Sequence, residues 1–175
     1  MPGSKSGAIP GRGTLFLVVG PSGAGKDTLI DAARASRPDM FFPVQVVTRS
    51  AEDGGKIIEA ISPEAFASRE CAGDFALSWH AHGLAYGVPV AAAEALAAGR
   101  DVLVKVPRSV VDRARERFPP CRVLVVTATH ALLETRLAAR GGEIAAEIAG
   151  RLVRADYARP QGPDVTVIDN GGDFR

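Results

Sequence analysis

Short apolar runs alternate with longer stretches of helical periodicity along nearly the whole chain, and turn residues mark most junctions. Residues 14–19 (TLFLVV) make the first run, unbroken and β-branched, which predicts a buried parallel strand. A helix is predicted over 27–35, and residues 43–47 (PVQVV) read as a second strand. The glycine- and charge-containing stretch 48–61 reads as a surface loop, of a length that is often functional. Ser62, Pro63 and Glu64 then supply a hydroxyl cap, a proline at the first helical position and an acid in the first turn, so a helix starts there and ends near Gly73. Residues 75–80 (FALSWH) alternate as a strand does, whereas 83–89 (GLAYGVP) read as a turn-rich connection to an alanine-rich helix ending at Gly99. Strands are predicted again at 102–106, 122–126 and 165–168, and helices over 109–118, 131–140 and about 144–157, with Gly141-Gly142 as a stop between the last two.

This order predicts an α/β fold in three layers, αβα, with helices on both faces of a mainly parallel sheet. A chain of 175 residues suits one core, so residues 1–12 read as a flexible leader and 13–175 as a single domain. In such sheets ligands gather beyond the carboxyl ends of the strands, where Lys26, Arg49, His80, Arg108 and Asp169 would emerge.

Composition narrows the partners. With 46% apolar and 23% charged residues the chain is an ordinary globular one, and its net charge of +1 gives no broad cationic field for nucleic acid or an anionic membrane. Small anions are the expected ligands. The apolar runs fall short of a membrane span, and the opening MPGSKSGAIPGRG lacks the apolar core of a signal peptide. Cys71 and Cys121 lie far apart without metal-ligand spacing, and the three histidines form no zinc signature, which fits a reduced cytoplasmic protein.

The chemistry concentrates after the first strand, in Gly20, Pro21, Ser22, Gly23, Ala24, Gly25, Lys26, Asp27 and Thr28. Strand, glycine-rich loop and helix follow in the order of a phosphate-binding loop, with Asp27 where Ser or Thr is usual. The glycines allow successive backbone amides to turn toward one point, the helix adds its positive end, and Lys26 adds a mobile ammonium. A nucleoside triphosphate is the expected occupant. Asp27 can bind a hard cation in place of a hydroxyl, and Thr28 follows it, so the pair is the candidate Mg²⁺ site. Arg136 and Arg140, four apart on one helix face beside Gly141-Gly142, together with Arg151 and Arg154, suggest a lid over about 136–154. Arg49 and Arg108 offer planar forks for phosphate oxygens.

The segments GPSGAGKDTL (20–29), VTRS (47–50), FALSWHAHGLAYGVP (75–89), VLV (102–104) with Arg108, and RLAARGGE (136–143) together resemble the ribose 1,5-bisphosphate phosphokinases, guanylate-kinase-like P-loop enzymes of phosphonate catabolism. The likeness covers nearly the whole chain. Its specific marks are Lys26-Asp27 and the run from Trp79 to Leu84. The resemblance implies transfer of the γ-phosphoryl of ATP, with Mg²⁺, to the 1-phosphate of ribose 1,5-bisphosphate, giving 5-phosphoribosyl 1-diphosphate. It implies a small phosphorylated sugar as partner and an acceptor-binding region over about 48–90. It assigns Lys26 to the β- and γ-phosphates, Arg136 and Arg140 to the transferring group, and Arg49, Arg108, Tyr86 and His80 to the acceptor. With Tyr86-Gly87 set on the Tyr-Gly of guanylate kinases, His80 falls at their base-reading glutamate, whose paired acceptance from guanine an imidazole cannot reproduce. Nucleoside monophosphate phosphorylation and a non-catalytic binding module of the same fold stand as alternatives. The chain departs from the family at Lys56, at Ile58, at Lys105-Val106-Pro107 in place of Asn-Gly-Ser, and at Gly142 in place of a second lid arginine. The two added lysines suit a differently charged acceptor. An end at Arg175, before the terminal helix of relatives, would bare part of a sheet face and favour a homodimer or instability.

Overall fold

A computed structural model describes residues 11–49, 58–139 and 159–171. Its first half runs β1 (Leu15–Val19), α1 (Lys26–Ser36), β2 (Gln45–Val47), β3 (Ile58–Ala60), α2 (Pro63–Cys71), β4 (Phe75–Ala81) and β5 (Leu84–Pro89). The second half runs α3 (Ala91–Ala97), β6 (Val102–Lys105), α4 (Val111–Arg117), β7 (Cys121–Thr127), α5 (His130–Ala139) and β8 (Val165–Asp169). A single 3-10 turn, Arg108–Val110, leads into α4, where the sequence predicts continuous helix.

The predicted parallel sheet is present, with strand order β6-β1-β7-β8 and every pairing parallel. β1 lies between β6 and β7, so Leu15, Leu17, Val18 and Val19 are all at most 2% exposed, which is why this strand reads as an unbroken apolar run. The predicted helix start at Ser62 also holds: its side chain accepts from the Ala65 N–H at 3.1 Å, with Pro63 in the first turn.

Two predicted connections are strands instead. Residues 84–89 form β5, antiparallel to β4, because Ala81 pairs with Leu84 across His82 (φ 52°) and Gly83 (φ 75°). Two successive positive φ angles are what a tight hairpin turn requires, and Gly83 supplies one without cost. Within the predicted loop 48–61, Ile58–Ala60 pairs parallel with β2 as β3, while 50–57 lie outside the described residues. The result is a second four-stranded sheet, β3-β2-β5-β4, of mixed direction. It packs against the first through a shared core of Leu77 and Val88 with Leu17 and Val104, and Phe41, in the segment before β2, bridges Val102 of β6. The predicted helix over 144–157 lies outside the described residues. Among the described residues, no helix is long and apolar enough to cross a membrane.

One polar tie holds α4 to the approach of β8. Arg115 donates from Nε and Nη2 to both oxygens of Asp164, at 2.7 and 3.0 Å, and from Nη2 to the Gln161 carbonyl at 2.9 Å. Hydrogen bonding to Asp164, ahead of the opposing effect of burial, raises the guanidinium pKa above its usual value. Removing a half-buried fork of this kind leaves Asp164 without its charged partner, so Arg115→Ala is expected to cost about 1–3 kcal/mol. Urea unfolding checks this, and Arg115→Lys should recover only part of the loss because one ammonium cannot bridge both oxygens.

Candidate functional site

The loop between β1 and α1 is shaped by its glycines. Gly20, Gly23 and Gly25 have φ of 150°, 83° and 89°, values that L side chains rarely adopt. A Cβ at Gly20 would run into the Val126 carbonyl of β7, and one at Gly25 into the side-chain amide of Asn170. Between them Ala24 is fully buried and packs into the apolar cluster of Val18, Ile30 and Val126, which pins the middle of the loop. Gly25 caps α1 with no side-chain hydrogen bond, so no side chain competes for the first-turn amides. The Lys26 ammonium bends back and donates to the carbonyls of Gly20 and Pro21, both at 2.8 Å.

Behind the loop stands a brace that sequence reasoning only partly identified. Asn170, just past β8, donates from Nδ2 to the Ala24 carbonyl at 2.8 Å, and its own N–H donates to the Thr127 carbonyl at 2.7 Å. Arg136 donates to the carbonyls of Gly23 at 3.1 Å and Asn170 at 3.3 Å. Arg136, expected over the transferring group, thus sits against the loop itself. Arg140 and the lid beyond α5 lie outside the described residues. A lone asparagine carries no motif, and the signal the sequence offers for Asn170 is its place one residue beyond Asp169, at a parallel strand's carboxyl end.

At the mouth of the loop, Asp27 Oδ1 accepts from the Lys105 ammonium at 2.5 Å. Lys105 ends β6, and its carbonyl accepts from Gln45 Nε2 at 2.5 Å. Gln45 is itself buried, 8% exposed. A cavity of about 290 Å³ opens here between α1, the start of β2, β3 and β6, with Asp27, Lys105, Gln45 and Arg34 among apolar neighbours such as Ile30 and Phe42.

The residues expected around the acceptor divide between the two faces of the second sheet. Tyr86 on β5 stacks on its cross-strand partner Trp79, with ring centres 5.5 Å apart and planes within 2°. His80, the next residue of β4, points to the opposite face by strand alternation, where its ring meets Phe66 of α2 edge-on at 6.4 Å. The structure therefore does not bring His80 together with Tyr86. Arg49 is exposed just beyond β2, and Arg108 is half-buried in the turn after β6.

The chemistry available is that of cations and amides around an anion. Burial pushes the Cys121 thiol up to about 11, which removes it as a nucleophile near neutrality. Among the described residues there is no group of three or more His, Cys, Asp or Glu able to cage a metal. Asp27 and Thr28, both exposed, offer a carboxylate and a hydroxyl at the loop. That suits Mg²⁺, which usually keeps waters and phosphate oxygens and takes only one or two protein ligands. The glycine cradle, closed to any Cβ at Gly20 and Gly25, suits a polyphosphate backed by main-chain amides.

No family model matches the chain. Curated relatives do. The ribose 1,5-bisphosphate phosphokinase PhnN of Acidiphilium cryptum is 49% identical over 164 residues, covering 92% of this chain and 86% of the relative. The enzyme of the same name from Pseudomonas fluorescens is 44% identical over 167 residues, covering 91% and 88%. Among solved structures, guanylate kinase from Anaplasma phagocytophilum superposes with a TM-score of 0.61 at 18% identity, covering 93% of this chain and 79% of that one. At that identity the likeness shows the fold alone, and it bears out the α/β architecture predicted from the alternation.

Proposed function

The chain belongs to the ribose 1,5-bisphosphate phosphokinase family and phosphorylates that sugar bisphosphate, and from this premise we propose that ATP is the donor and that the β1–α1 loop holds its phosphates. The product is 5-phosphoribosyl 1-diphosphate, a step we place in phosphonate catabolism. The observation that carries the donor site is the cradle of Gly20, Gly23 and Gly25, with the Lys26 ammonium drawn over its rim at 2.8 Å from two carbonyls.

The acceptor nucleophile is a phosphate oxygen, already ionised at neutral pH, so no general base is needed. What must be overcome is repulsion between two polyanions. Lys26 exchanges its loop carbonyls for the β- and γ-phosphate oxygens, a short movement for a flexible side chain. Asp27 and Thr28 would hold Mg²⁺, which when bound would neutralise phosphate charge. Arg136, through Gly23 and Asn170, keeps the loop in register, and Arg140 completes the charge around the transferring group. Arg49, Arg108 and the Tyr86 hydroxyl, the last held by its stack on Trp79, bind the acceptor phosphates. His80, turned toward Phe66, has no part in this arrangement.

Coupled ADP release across an acceptor panel tests the assignment. Saturable turnover with ribose 1,5-bisphosphate, far above that with GMP, is expected; turnover with GMP alone would overturn it. In the same assay Arg49→Ala should raise the acceptor KM about tenfold or more while leaving that of ATP nearly unchanged, as loss of a charge-assisted phosphate contact predicts. The reverse pattern would move Arg49 to the donor side.

A further inference from the structure

We propose that Lys105 is a transferable counter-ion, paired with Asp27 and released to the acceptor when Mg²⁺-nucleotide takes Asp27. This rests on the reading of Asp27 as a metal-side oxygen.

Lys105 is well placed for such a transfer. Its main chain is fixed, as the final residue of β6, by the 2.5 Å bond from the buried Gln45 amide to its carbonyl. Its side chain is free to swing, since the ammonium touches Asp27 at 2.5 Å across an ion pair whose partners are 36% and 65% exposed. Such a pair is weak in water and easily exchanged. Lys26 and Lys105 are held back in the same manner, Lys26 on two carbonyls and Lys105 on a carboxylate.

A dication arriving with the triphosphate competes for the same carboxylate oxygen. Ammonium and Mg²⁺ repel at this range, so one carboxylate favours either occupant over both. The displaced ammonium stays over the cavity it lines together with Gln45 and Arg34, on the side of the second sheet that carries the acceptor. An acceptor with two phosphates then meets one more positive charge than it would have met before the metal bound. Donor and acceptor are thereby coupled: each favours the state that the other prefers. Lys105 thus makes acceptor affinity depend on metal-nucleotide.

The test measures binding, apart from turnover. Mn²⁺ as a paramagnetic probe, with a non-hydrolysable ATP analogue, is titrated into the wild type, Lys105→Met, Lys105→Arg and Asp27→Asn; ribose 1,5-bisphosphate binding is then measured by calorimetry with and without the Mn²⁺-analogue. Lys105→Met should bind Mn²⁺ more tightly, by about fivefold or more, and lose the increase in acceptor affinity that the metal complex gives the wild type. Lys105→Arg should keep that increase in part. Unchanged Mn²⁺ affinity and unchanged coupling in Lys105→Met, while Asp27→Asn weakens Mn²⁺, would overturn the transfer and leave the metal reading intact. If Asp27→Asn also leaves Mn²⁺ binding unaltered, the metal reading itself falls.

Discussion

Lys26→Ala is expected to lower kcat by about a hundredfold or more while leaving the folded state nearly as stable as the wild type. The ammonium stands at the rim of the phosphate cradle, 2.8 Å from the carbonyls of Gly20 and Pro21, and no other described lysine is held on the loop backbone. Charge on the transferring phosphoryl group spreads over its equatorial oxygens in the transition state, so a cation fixed there contributes more at that point than in the ground state. The fold loses little because the two carbonyls freed by the substitution sit at a part-exposed loop that water can reach. Steady-state kinetics at saturating ATP and acceptor, run beside thermal melts, measure both halves. A near-normal kcat would remove Lys26 from catalysis, and a collapsed melting temperature would make it a structural residue.

Gly25→Ala should abolish nucleotide binding for a reason independent of charge. At φ 89° the backbone already disfavours any L side chain, and the added methyl would meet the Asn170 amide that supports Ala24. Relief requires Asn170 to retreat, which releases the loop from β8, or the loop to move outward, which misdirects its amides. Gly73→Ala supplies the control, because Gly73 has nearly the same φ, 79°, with nothing within 4 Å of the added atom. Both variants should lose about 1–2 kcal/mol from backbone strain, whereas only Gly25→Ala should fail to bind an ATP analogue in calorimetry. Equal binding in the two would mean that the Asn170 brace does not set the loop.

How far the sequence speaks for the structure depends on the range of the interaction behind each feature. The β1 run and the Ser62-Pro63-Glu64 start are local signals, and both stand where predicted. β5 was hidden because Gly87, with no side chain to show alternation, is needed where a Cβ would strike the Phe75 ring, a contact between strands. β3 is three residues long, and its partner is β2, so nothing within residues 58–60 could announce it. The donor loop is legible because its requirements are backbone ones, written as glycines. Its supports are not, since Asn170 and Arg136 reach it only after the chain has crossed the sheet. The place of His80 beside an acceptor is counted from Tyr86-Gly87, and strand alternation after Trp79 sets it on the opposite face of the sheet from Tyr86.

Beyond the core shared by both sheets, the outer face of the second sheet has a small apolar cluster of its own: Val46, Phe66, Phe75 and Ala85. It is separate from the cluster that takes in Ala24 of the β1–α1 loop. Substitutions beneath α2 are therefore expected to shift strands of the second sheet while leaving the β1–α1 loop in place, so the two halves of the molecule can change at different speeds.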